Sequence, residues 1–85
     1  MCRLELRPSA EKDLDRLQGE TWQRVKTALK GLREAPRPAG CVKLACGEGW
    51  HIRIGDWRAI YDIDDGAQLV TVLRVKHRKD VYREF

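Results

Sequence analysis

The feature that most constrains this chain is the run Trp50-His51-Ile52-Arg53-Ile54-Gly55-Asp56-Trp57-Arg58-Ala59-Ile60-Tyr61-Asp62-Ile63. Apolar residues recur with period two on both sides of a Gly-Asp pair, the pattern of two strands joined by a tight reversal. A two-residue loop beginning with glycine suits a type II′ turn, and that turn sets the register. Ile54 then faces Trp57, Arg53 faces Arg58, Ile52 faces Ala59 and His51 faces Ile60. Directly opposed residues share a pleat face, so Ile52, Ile54 and Trp57 form an apolar set while His51, Arg53 and Arg58 lie on the other side. Two arginines across a ladder repel by about a few tenths of a kcal/mol or more. A bound phosphate reverses that sign; the alternative is that the guanidiniums splay into water or pair with Asp56 and Asp62. Trp50 either joins Ile52 and Ile54 in the core or projects from the start of its strand towards a ligand.

The rest of the chain supplies partners for this hairpin. Arg3-Leu4-Glu5-Leu6-Arg7 alternates and reads as a short strand ended by Pro8. Ser9 is an N-cap for a first amphipathic helix carrying Ala10, Leu14 and Leu17, stopped by Gly19. Thr21 caps a second helix, whose apolar stripe Trp22, Val25, Leu29 and Leu32 belongs to the core and whose end is marked by Pro36 and Pro38. Leu69 to Val75 forms a further strand after the Asp-Asp-Gly-Ala turn, whose length of three or four residues leaves open what lies opposite Arg58. The order β-α-α-β-β-β predicts one α+β domain over residues 1–85: two antiparallel helices packed on one face of a small antiparallel sheet, with the other face partly open.

Composition narrows the class of partner. Hydrophobic residues at 42% beside 35% charged residues describe a globular chain rather than a disordered one. No run approaches the ~20 apolar residues of a membrane span, and the first residues lack a signal-peptide core, so a cytoplasmic protein without membrane contact is expected. Cys2, Cys41 and Cys46 are odd in number. Cys41 and Cys46, with four residues between them, have no second Cys/His pair, so plain thiols are expected, and neither metal nor cofactor. Seventeen Lys+Arg against thirteen Asp+Glu give a net charge of +4, which favours polyanions. Arg74, Lys76, His77, Arg78 and Lys79 crowd within six residues, whereas Asp62, Asp64 and Asp65 cluster before the preceding turn.

Leaving the last strand beside the hairpin, the basic run is expected to bring an imidazole, a guanidinium and a phenol to the face that holds His51, Arg53 and Arg58. Cleavage of RNA needs such groups: a base for the 2′-OH, cations for the phosphorane, an acid for the leaving 5′-oxygen and a ring to stack a base. The hairpin, together with Val72-Leu73-Arg74-Val75-Lys76-His77-Arg78-Lys79-Asp80-Val81-Tyr82, resembles the RelE branch of the RelE/ParE superfamily of toxins from bacterial type II toxin–antitoxin modules. The resemblance spans nearly the whole chain, the helices matching only in pattern.

It implies a ribosome-dependent mRNA endoribonuclease that works in the ribosomal A site without a metal and inhibits translation. It also implies an acidic cognate antitoxin as partner, with operator DNA reached only through the toxin–antitoxin complex. By position it places family site residues on His51, where a lysine is often found, and on Arg53, Arg58, Arg78 and Tyr82. His51 becomes the candidate base, and His77 the candidate acid with Arg78 competing. Arg53 and Arg58 hold the phosphate, Tyr82 stacks or orients a base, and Lys43, Arg74, Lys76 and Lys79 are candidate RNA contacts. Two alternatives share the fold: a ParE-like toxin that poisons DNA gyrase by protein contact, and a non-catalytic module that binds antitoxin and operator.

Overall fold

A computed structural model describes residues 2–38, 41–43, 49–77 and 79. The elements are β1 (Arg3–Leu6), α1 (Pro8–Asp15), α2 (Gly19–Gly31), β2 (Val42–Lys43), β3 (Trp50–Ile54), β4 (Trp57–Asp64) and β5 (Leu69–His77). They build one five-stranded sheet in the order β1-β5-β4-β3-β2. Side chains from α1, α2 and the segments that follow them pack on one face of it. There Ala10, Leu17, Val25, Leu29 and Leu32 meet Ile52, Ala59, Tyr61, Val70, Val72 and Val75 in a single apolar cluster. The face away from the helices is called the outer face below. No helix among the described residues is long and apolar enough to cross a membrane.

The hairpin has the expected register: Ile54 pairs with Trp57, Arg53 with Arg58, Ile52 with Ala59 and His51 with Ile60. Gly55 has φ +62° while Asp56 stays out of the left-handed region, the combination a type II′ turn requires. Only glycine takes the first position without strain.

Several details differ from the sequence expectation, among them the extra strand β2. The sheet is mixed, because β1 runs parallel to β5 while β2 to β5 are antiparallel neighbours. The helical segment between β1 and the hairpin provides the long connection that a parallel pair needs. Helix α1 begins at Pro8, not Ser9, since proline is at home in the first turn, where its missing N–H is no loss. The Ser9 hydroxyl instead donates to the Leu73 carbonyl at 2.7 Å. Helix α2 begins at Gly19, with φ +61°, rather than being capped by Thr21. Finally, β5 runs on to His77 instead of stopping at Val75.

The link from α2 into the sheet is held by its own contacts. The Tyr61 hydroxyl, fully buried, donates to the Pro36 carbonyl at 2.8 Å. Burial, with Cys41 beside it, pushes that phenol far above its ordinary range. Arg37 lies over the ring of Trp50 at 5.2 Å and forms a two-pronged ion pair with Asp65 in the β4–β5 turn. Trp50 therefore sits on the helix side beneath Arg37, partly buried against the core.

Candidate nucleic-acid interface

Strand pairing places the basic residues by pleat parity. Arg53 on β3 lies opposite Arg58 on β4, and Arg58 lies opposite Lys76 on β5. Three cations thus form one row across three adjacent strands on the outer face. The next row, one pleat further along, reads Val42, His51, Ile60 and Arg74. Val42 is half exposed, whereas Ile60 in the middle of the row is only 2% exposed. Long basic side chains beside such a residue can lay their methylenes on it while keeping their charges at the surface.

A β-bulge gives this arrangement its register. Between the Ile60–Arg74 and Tyr61–Val72 pairs, β5 holds one extra residue, Leu73. Without it every residue of β5 beyond Val72 would move to the opposite face. The bulge therefore lets Val70 and Val72 serve the core while Arg74 and Lys76 reach the outer face. Arg74 is held further by Asp13 of α1, which is 5% exposed and accepts from Arg74 Nε at 2.9 Å. The same Asp13 oxygen takes the Val75 backbone N–H at 2.9 Å, where β5 has outrun its neighbour β1. A helix residue thus satisfies an edge donor of the sheet and anchors a cation of the site.

His51 is the group in this row that can gain or lose a proton near neutrality. Burial first, and the positive charge of Arg58 second, hold its pKa below the ordinary histidine value. The imidazole is therefore neutral at pH 7, and its Nδ1 is enclosed with no hydrogen-bond partner among the described residues. A neutral imidazole next to fixed cations can accept a proton. Arg53, at the turn end, is braced by its own Nε, which donates to the Gly55 carbonyl at 3.2 Å.

The other end of the outer face has the opposite sign. Asp62 pairs with Thr71, which also pairs with Glu5, and Asp64 lies opposite Leu69. The face is basic at the β3–β4 turn and acidic towards the β4–β5 turn.

Not every residue expected at the site joins it. His77 pairs with Trp57, so its side chain leaves on the helix face, where the two rings meet edge to face at 5.3 Å. Its Nδ1 accepts the Lys79 backbone N–H at 3.4 Å. The reason is the extra length of β5, which keeps His77 in step with Val75 instead of releasing it as a loop. Lys43 lies opposite Trp50 and so shares the helix-side parity, exposed at the sheet edge. Lys79 is exposed beyond β5. Arg78 and Tyr82 lie outside the described residues. Lys76, expected only as an RNA contact, turns out to be the direct partner of Arg58. Asp13 was missed altogether, although an acid on the apolar stripe between Ala10 and Leu17 was the signal for it.

The family model of the ParE toxin of the type II toxin–antitoxin system parDE matches residues 4–82. The chain belongs to this toxin family. Among solved structures the toxin is similar to the Mycobacterium tuberculosis RelBE2 toxin–antitoxin complex at 26% identity and TM-score 0.80, covering 91% of this chain and 98% of that one. The Pyrococcus horikoshii RelE–RelB complex matches at 24% and 0.80, covering 91% and 94%, and the intact Escherichia coli RelBE complex at 23% and 0.78, covering 91% and 96%. The last two likenesses establish the fold. No curated protein sequence matches the toxin. It is thus a RelE/ParE-superfamily toxin with two helices on a mixed sheet.

Proposed function

We propose that the toxin is a metal-independent endoribonuclease that cleaves mRNA in the ribosomal A site. The observation that supports this best is the row Arg53, Arg58 and Lys76 on the outer face with neutral His51 in the next row. His51 takes the proton from the ribose 2′-OH, and the resulting 2′-oxygen attacks the adjacent phosphorus. Arg53 and Arg58 hold the phosphate and stabilise the added charge of the phosphorane. The bond from phosphorus to the 5′-oxygen breaks, leaving a 2′,3′-cyclic phosphate and a 5′-hydroxyl. The proton for that hydroxyl comes from a cation, Lys76 by its place opposite Arg58 or Arg78 by family resemblance. Tyr82 stacks or orients a base, and Arg74 binds backbone beside the row. His77 has no part in this scheme, because its side chain leaves on the other face.

The partners follow from the same charges. The neighbouring structures are complexes of RelE-type toxins with their antitoxins, and an acidic antitoxin segment that covers the basic row would silence this chain. Operator DNA is then met through that complex. The ParE family match favours a second reading, inhibition of DNA gyrase by surface contact, in which these residues have no catalytic task.

Primer extension on cellular mRNA after induction without antitoxin separates the two. Nuclease action predicts cuts within codons that disappear when translation is blocked; gyrase inhibition predicts intact mRNA and altered plasmid supercoiling.

A further inference from the structure

The tip of the β3–β4 hairpin rests near α2, and the contact is made by an arginine outside the site described above. A methyl group placed on Gly55 would lie 3.7 Å from Arg24 Nη1, 3.8 Å from Nη2 and 3.9 Å from Cζ. The two Nη atoms lie nearest and Cζ slightly farther, so the Arg24 guanidinium meets the turn obliquely, along its Nη edge. Asp56, the next residue of the turn, makes no ion pair with Arg24.

Arg24 and Arg53 both lie at Gly55 and line one open groove of about 510 Å³, together with Gln23 and Thr27. That is within the ~300–1,000 Å³ range of ligand sites. Ala28 and Ile54 give the groove an apolar floor, and the two guanidiniums, the amide and the hydroxyl around it are donors suited to phosphate and ribose oxygens. Arg53 belongs to both this groove and the Arg53–Arg58–Lys76 row. A strand held at the row therefore enters the groove when it continues past Arg53 around the hairpin tip.

We propose that Arg24, with Gln23 and Thr27, forms a second phosphate subsite for single-stranded RNA, holding the nucleotide that flanks the scissile phosphate on the Arg53 side. This rests on the nuclease reading, and the test keeps the two apart. The probe is a fluorescein-labelled 2′-O-methyl RNA pentanucleotide, which cannot be cleaved, titrated with toxin by fluorescence anisotropy over a range of salt concentrations. Each phosphate contact to a single strand contributes about 0.7 to the slope of log affinity against log salt. Arg24→Gln is expected to weaken binding and to reduce that slope by about 0.7, while Arg24→Lys keeps the slope. Arg24 is exposed, and matching circular dichroism melts show that the variants are folded. An unchanged slope and affinity in Arg24→Gln overturns the subsite, and if wild-type toxin still cuts mRNA the nuclease reading survives it. A reduced slope in a toxin that never cuts mRNA keeps the subsite and removes the nuclease. Loss of affinity for a glutamate-rich peptide, with RNA binding intact, overturns the proposal by making the groove a protein contact.

Discussion

The two faces of the central sheet are made by alternate residues of the same strands, yet they do different work. On the helix side Ile52, Ala59, Tyr61, Val70, Val72 and Val75 are closed off from water by Val25, Leu29 and Leu32. On the outer side Arg53, Arg58 and Lys76 stand in a row. A substitution on one face should therefore change stability, and on the other activity. Two residues blur the division. Ile60 is buried although it belongs to the outer face, and Asp13 reaches from the helix side to hold Arg74.

His51→Ala is the strongest way to break this comparison. Removing a general base typically lowers the rate by about 10²–10⁴-fold, measured as single-turnover cleavage of mRNA on stalled ribosomes. Because the folded pKa of His51 is depressed, wild-type activity should stay level above the ordinary value of about 6.5 and fall only as the pH drops below it. That acid limb should vanish in His51→Ala and persist in His77→Ala. Should both variants keep it, histidine is not the base.

Leu32→Ala tests the covered face. With 1% of its surface exposed, Leu32 should contribute about 2–5 kcal/mol to unfolding in urea, and the remaining folded toxin should cut at the wild-type rate. Arg58→Ala should do the reverse. Cleavage should fall by about 10²-fold, equivalent to about 3 kcal/mol, with the unfolding free energy changed by no more than about 0.5 kcal/mol. Normal cleavage by this variant would mean that the site lies elsewhere.

Asp13→Ala sharpens the border between the faces. It leaves the Val75 N–H and the Arg74 guanidinium without their shared acceptor, so a loss of about 1–3 kcal/mol in stability should accompany a reduction in RNA affinity. A loss in stability alone would make Asp13 purely structural. Tyr61→Phe should have the smallest effect. It removes the hydroxyl bond to Pro36 and that hydroxyl's contact with Cys41, about 1 kcal/mol by thermal unfolding, and should leave cleavage unchanged.

What the amino-acid sequence by itself determined is what short-range physics controls. The Gly55-Asp56 turn imposes one register on the residues that flank it, so the opposition of Arg53 and Arg58 was legible before any tertiary contact. The stripe of Val25, Leu29 and Leu32 was legible for a similar reason, since helical spacing alone gathers these side chains on one side. Tertiary structure decided what depends on residues far apart in the chain. The partner of Arg58 rested on the length of the β4–β5 turn and on the bulge at Leu73, which no local pattern announces. The parallel pairing of β1 with β5 depended on how the helices cross the sheet, and the hold of Asp13 on Arg74 on where β1 ends beside β5. His77 lies between these cases. Its parity with Val75 was readable, but only the continued pairing of β5 with β4 turned it towards Trp57 and away from the row of cations.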